Sequence, residues 1–106
     1  MKKVLQHLSY LLLLSSSKSS KQKKELIKTA TREQLKAIFE SVANILHGNL
    51  ELKPSLKAKL KTKSNFFHKL TDKKVSVKRK INLMLKHEKE LALFLSPLTK
   101  LLISRV

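Results

Sequence analysis

Cysteine and tryptophan are absent from this 106-residue chain, glycine occurs once and proline twice. Without cysteine there is neither a disulfide framework nor a thiolate metal site, and the absence fits a reducing compartment. So few turn residues argue against a sandwich or barrel of short strands and point to helices. The length allows one small domain and no second core. Acids are scarce too: seven Asp and Glu stand against 24 Lys and Arg, a formal charge of +17. The histidines, His7, His47, His68 and His87, form no i, i+4 pair. They read as surface or helix-end imidazoles and not as metal ligands. No glycine-rich phosphate loop and no recognisable nucleophile setting occurs. Glu25, Glu33, Glu40 and Glu51 each read as a helix-face partner for a nearby cation. The expectation is a non-enzyme with no catalytic residues, no cofactor and no metal.

What the chain has in excess is concentrated between residues 53 and 86. There Lys53, Lys57, Lys59, Lys61, Lys63, Lys69, Lys73, Lys74, Lys78, Arg79, Lys80 and Lys86 face a single acid, Asp72. A segment so charged gains free energy wherever it releases the counterions of a polyanion. Apolar residues recur between the cations at helical intervals, so a folded basic surface is expected and not merely a solvated tail. The candidate nucleic-acid-binding residues are Lys57, Lys59, Lys61, Lys63, Lys73, Lys74, Lys78, Arg79 and Lys80. Lysine contacts to phosphate carry little sequence information, and Arg79 is the only arginine in the block. Five aromatic residues, with Phe39 expected in a core stripe, offer no stacking platform for single strands. Double-stranded DNA held by its backbone is the expected partner.

Residues 1–14 begin like a secretory signal, but Gln6, His7, Ser9 and Tyr10 dilute the apolar run and no Ala-x-Ala site follows. A docking helix is the preferred reading, its face made of Val4, Leu5, Leu8, Leu11 and Leu12. Residues 15–24 are rich in serine and lysine and read as a hinge or mobile connector whose serines could accept phosphate. Thr31 and Gln34 fit a capping box. Leu35, Ile38, Phe39, Val42, Ala43, Ile45 and Leu46 then share a helical face, with Lys36, Glu40, Ser41 and Asn44 opposite. Gly48 and Asn49 stand where a left-handed cap belongs. Leu50 to Pro54 reads as extended, with Pro54 opening the next helix. Residues 56–63 alternate like a strand, yet Leu56, Leu60, Phe67 and Leu70 also share a helical face, and helix is favoured, with Lys63 snorkelling outward. Val77, Ile81, Met84 and Leu85 form a third stripe with Lys78, Arg79, Lys80, Asn82 and Lys86 outside it. Leu91 to Ile103 is apolar but too short and too polar to cross a membrane, and Pro97 should kink or restart its helix. The expected fold is an all-α bundle with central helices near 31–47, 54–71 and 75–87 and a flanking helix at each end. Its parts are a helix and linker over 1–24, a basic domain over 25–87 and an apolar segment over 88–106.

Asn44-Ile45-Leu46-His47-Gly48-Asn49, then Leu52-Lys53-Pro54-Ser55, Asp72-Lys73-Lys74-Val75-Ser76-Val77-Lys78-Arg79-Lys80 and Leu95-Ser96-Pro97-Leu98 follow in a telling order. In that order the chain resembles the short basic proteins of Polinton/Maverick elements and adintoviruses, which are regarded as adenovirus-like virion-core or minor structural proteins. The resemblance covers most of the chain. It implies a DNA-condensing role in a virion and the host nucleus, with capsid proteins as further partners. One departure stands out: His87-Glu88-Lys89-Glu90 occupies the place where such proteins often carry a Gly-Gly-Phe step, a site suited to an adenain-like maturation protease.

Two other classes stay open. A membrane-active protein would lay its apolar ends in an interface while its cations meet anionic lipid. A small ribosomal or RNP protein would turn the same cations to RNA. If the chain is not viral, an intracellular place is expected. Whether Leu91 to Val106 packs on the central helices or stands free separates the membrane reading from the others.

Overall fold

Three hydroxyl side chains and a proline mark where helices begin. Ser19 accepts a hydrogen bond from the Gln22 amide at 3.1 Å, and Ser76 accepts one from Arg79 at 3.2 Å. Thr31 and Gln34 close a full capping box, with bonds of 3.1 and 2.9 Å in the two directions. Each such cap is worth about 1 kcal/mol. Pro54 takes the first helical position, where its missing N–H costs nothing.

The computed structural model describes residues 2–48 and 52–104. In order they form α1 (Lys2–Gln6), α2 (Leu8–Ser16), α3 (Ser20–Lys28), α4 (Arg32–Leu46), α5 (Pro54–Thr62), α6 (Ser64–Thr71), α7 (Val77–Lys86) and α8 (Glu88–Ser104). Among the described residues every regular element is a helix, so the all-α expectation holds. The strand alternative for 56–63 falls, since α5 covers Pro54–Thr62. The single helix expected over 54–71 is two, broken at Lys63, where φ is −108° and ψ is 13°. Gly48 closes α4 at φ 73°, in the left-handed region that favours glycine. Asn49 as a cap, Leu50 and Glu51 of the extended segment, and Glu51 as a helix partner lie outside the described residues.

The chain folds about α4 and α8. α8 lies most extensively against α2 and also touches α3, α4 and α7, while α4 holds α1 and α6. The C-terminal segment, expected at the flank, therefore supplies core: Leu91, Phe94, Leu95 and Leu98 are at most 1% exposed. Burial of each such side chain contributes about 1.5–3 kcal/mol before entropy is subtracted. Phe94 meets Phe67 edge to face, with centroids 4.8 Å apart at 88°, a preferred geometry for the ring quadrupoles. Pro97 neither ends nor restarts α8, which is assigned as one helix through it. Its missing N–H deprives only the carbonyl of Leu93, whose side chain faces solvent, while residues on both sides stay clamped in the core.

Three further expectations change. The Ser/Lys-rich stretch is not a connector: only residues 17–19 are non-helical before α3 begins. Ile27 is fully buried and the Tyr10 hydroxyl donates to the Leu26 carbonyl at 2.8 Å, so α3 is anchored to the body. On the N-terminal helices the buried residues are Val4, Leu11 and Leu14, whereas Leu5 and Leu12 point outward. The break at His7, where φ is −117° and ψ is 27°, turns α2 relative to α1 and resets the helical phase. On α4 the buried face is wider than the stripe, taking in Ala37 and Ser41. The Ser41 hydroxyl is satisfied by donating to the Ala37 carbonyl at 2.8 Å, while Phe39 and Leu46 are only partly buried.

Candidate nucleic-acid interface

Four acids of this chain hold helices together, while Glu25 is exposed on α3 and Asp72 is exposed in the turn after α6. Six of the seven are among the described residues. Glu33 takes an ion pair from Lys3, joining α4 to α1, and stands 3.7 Å from Lys36. The hydrogen bond from Lys3, joined by the charges of Lys3 and then Lys36, outweighs desolvation and holds the Glu33 carboxyl below its usual range. Glu40 accepts the Val4 amide at 3.3 Å. Burial pushes its carboxyl up, but the hydrogen bonds it accepts, among them those from the Val4 and Lys3 amides, outweigh that and lower it. Glu88, 5% exposed at the start of α8, accepts from the Ser20 hydroxyl and lies 3.9 Å from the Lys23 ammonium. Glu90 is 3.9 Å from Lys63.

With four carboxylates committed to those contacts, most of the outer cations have no ion-pair partner among the described residues. Lys57, Lys59 and Lys61 are exposed around α5, which buries no residue. Lys73 and Lys74 are exposed in the turn after α6, where the Asp72 carboxylate accepts the Lys74 amide at 2.9 Å. Lys78 and Arg79 are exposed in the first turn of α7. The nine sequence candidates thus divide among α5 with its end at Lys63, the turn after α6 and the first turn of α7, and α5 and α7 each pack on α6. Two of the nine differ from the rest. Lys63 snorkels as expected, half-buried with its ammonium toward Glu90. Lys80, expected outside the stripe, is 7% exposed with its ammonium 4.8 Å from the centre of the Phe39 ring. One helical turn from the buried Met84, its stem follows the apolar face inward, which corrects its assignment as an outward cation. Val77, expected in the stripe, is instead half-exposed.

The structure adds cations that sequence reading passed over. Lys21, Lys24 and Lys28 are exposed on α3 at spacings of three and four, one stripe of a helix that packs against α7. The stripe was legible in the spacing, but hidden by reading residues 15–24 as unstructured. α3 and α7 carry no acid in the first turn, whereas α4 and α8 carry Glu33 and Glu88 there. Cations at a helix start oppose the macrodipole, at about 0.3–1 kcal/mol each. That arrangement sums helix-terminal and side-chain potential toward an anion.

Among the described residues no group of three or more His, Asp or Glu could hold a metal, and no helix is long and apolar enough to cross a membrane. His7, His47 and His87 stand at helix boundaries, and His68 is exposed on α6. Comparison of the chain with protein-family models, with curated proteins and with solved structures finds no match.

Proposed function

We propose that this protein binds and condenses double-stranded DNA without sequence preference, as a non-enzymatic virion-core or minor structural protein would. The reading rests on one observation: four acids tie helix to helix, while the lysines of α3, α5 and the start of α7 face outward and outnumber the exposed Glu25 and Asp72. The surface is lysine-rich, with Arg79 the one arginine among its assigned contacts, which favours phosphate contact over base reading. The α3 and α7 stripes, on packed neighbours, form the primary contact, and α5 a second. Cations carried on several helices of one small body suit bridging of duplexes, and so condensation. The finer arrangement of three central helices plays no part in this reading.

Packing of α2 against α8 takes Leu11, Leu14, Leu91 and Leu95 out of reach of a membrane, while Leu12, Leu13, Leu93 and Ile103 stay exposed on these two helices. The test is the ligand itself. Protein purified without nuclease should retain DNA, and after stripping should bind duplexes of unrelated sequence alike. Retention of ribosomal RNA would shift the reading to an RNP protein. Tight binding to anionic vesicles with no affinity for DNA would replace it with the membrane one.

A further inference from the structure

The cleft between α4 and α7 has a volume of about 410 Å³ and is lined by Arg32, Leu35, Lys36, Phe39, Val77 and Lys80. Lys80 is 7% exposed overall; its ammonium stands 4.8 Å from the centre of the Phe39 ring, no carboxylate or carbonyl among the described residues accepts from it, and it keeps contact with solvent. The stem is buried along the apolar face while the ammonium opens onto the cleft, which sets a cation without a counter-charge beside hydrocarbon walls. Arg32, the first residue of α4, also has no acid partner among the described residues; of the cleft's cations Lys36 is the one paired there, with Glu33 at 3.7 Å. Val77, the first residue of α7, leaves an apolar side chain 51% exposed at the rim.

The lining side chains are donors and hydrocarbon, with no acid and no neutral polar group among them. A complementary ligand offers only acceptors at one end and only apolar surface at the other. A nucleobase is a poor fit, since its N–H donors meet no accepting side chain here. An acyl carboxylate matches on both counts. We propose that the cleft binds an amphiphilic anion of the fatty-acid type, with Arg32 and Lys80 taking the head group and Leu35, Phe39 and Val77 taking the chain. The proposal is independent of DNA binding.

The test is titration of the full chain with hexanoate, octanoate and decanoate below their micellar range, followed through the methyl NMR signals of Leu35 and Val77. Those signals should shift, and affinity should rise roughly fourfold per added methylene until the cleft is filled. Lys80→Met should weaken octanoate by about tenfold or more, as loss of a charge-assisted contact does, and Lys80→Arg should restore it. If Lys80→Met does not fold, Arg32→Gln at an exposed position should give the same loss. Octanol binding as tightly as octanoate would reduce the cleft to an apolar patch and overturn the proposal. So would inorganic phosphate or dAMP binding more tightly than octanoate, an unchanged affinity in both charge variants, or no shift of the two methyl signals.

Discussion

Phe94→Ala tests whether the C-terminal segment is core. Phe94 is 1% exposed and its ring stands edge-on to Phe67 at 4.8 Å. Truncation removes the transfer free energy of the ring and leaves a cavity that the two long helices cannot easily close, a loss of roughly 3–5 kcal/mol. About 0.5–1.5 kcal/mol of that is the aromatic pair itself, measurable by a double-mutant cycle with Phe67→Leu. Set against a total stability of about 5–15 kcal/mol for a domain of this class, the variant stays only marginally folded. Urea unfolding followed by circular dichroism is the assay. Leu93→Ala is the control on the same helix, because Leu93 is 38% exposed, and it should cost under about 1 kcal/mol. Equal costs for the two variants, both within about 0.5 kcal/mol of zero, would mean that α8 does not pack as described.

Tyr10 reports on the anchoring of α3. Burial raises its hydroxyl from 10.0 to about 12, so the neutral form is favoured in the folded state. The associated stability is complete below pH 10 and lost as pH rises through about 12. Tyr10→Phe should abolish that alkaline loss and cost about 1 kcal/mol near neutrality, where the bond to Leu26 is missing; a phenolate titration at the ordinary value would contradict the burial. Ser20→Asp places a second carboxylate against the buried Glu88 and should destabilise by roughly 3 kcal/mol, with Glu88→Gln restoring much of the loss in the double variant. A neutral Ser20→Asp would mean that α3 is not docked on α8.

Legibility in the sequence followed the strength of local signals. The α4 helix was readable end to end because a capping box, a periodic stripe and a glycine all agree. The Leu-Lys alternation of α5 was readable as helix only through propensity, and α5 indeed buries nothing. What could not be read was tertiary. The helical state of residues 20–28 depends on packing Leu26 and Ile27 in a stretch that is otherwise polar. Whether Leu5 or Leu14 faces inward depends on a helix break at His7 that no residue type announces. The course of α8 through Pro97 depends on packing that outweighs one missing hydrogen bond. Of the candidate interface, the count of cations was legible but their partition was not: Lys80 went inward, and Lys21, Lys24 and Lys28 joined the surface.

The salt dependence of duplex binding tests the central claim most directly. With about six phosphates neutralised, log K against log salt should fall with a slope near −5 for any duplex sequence. Lys78→Gln with Arg79→Gln should flatten the slope by about 2, while Lys80→Gln should leave it unchanged. Affinity indifferent to salt, a marked preference for one sequence, or a Lys80→Gln effect as large as that of the Lys78 and Arg79 pair would contradict the account.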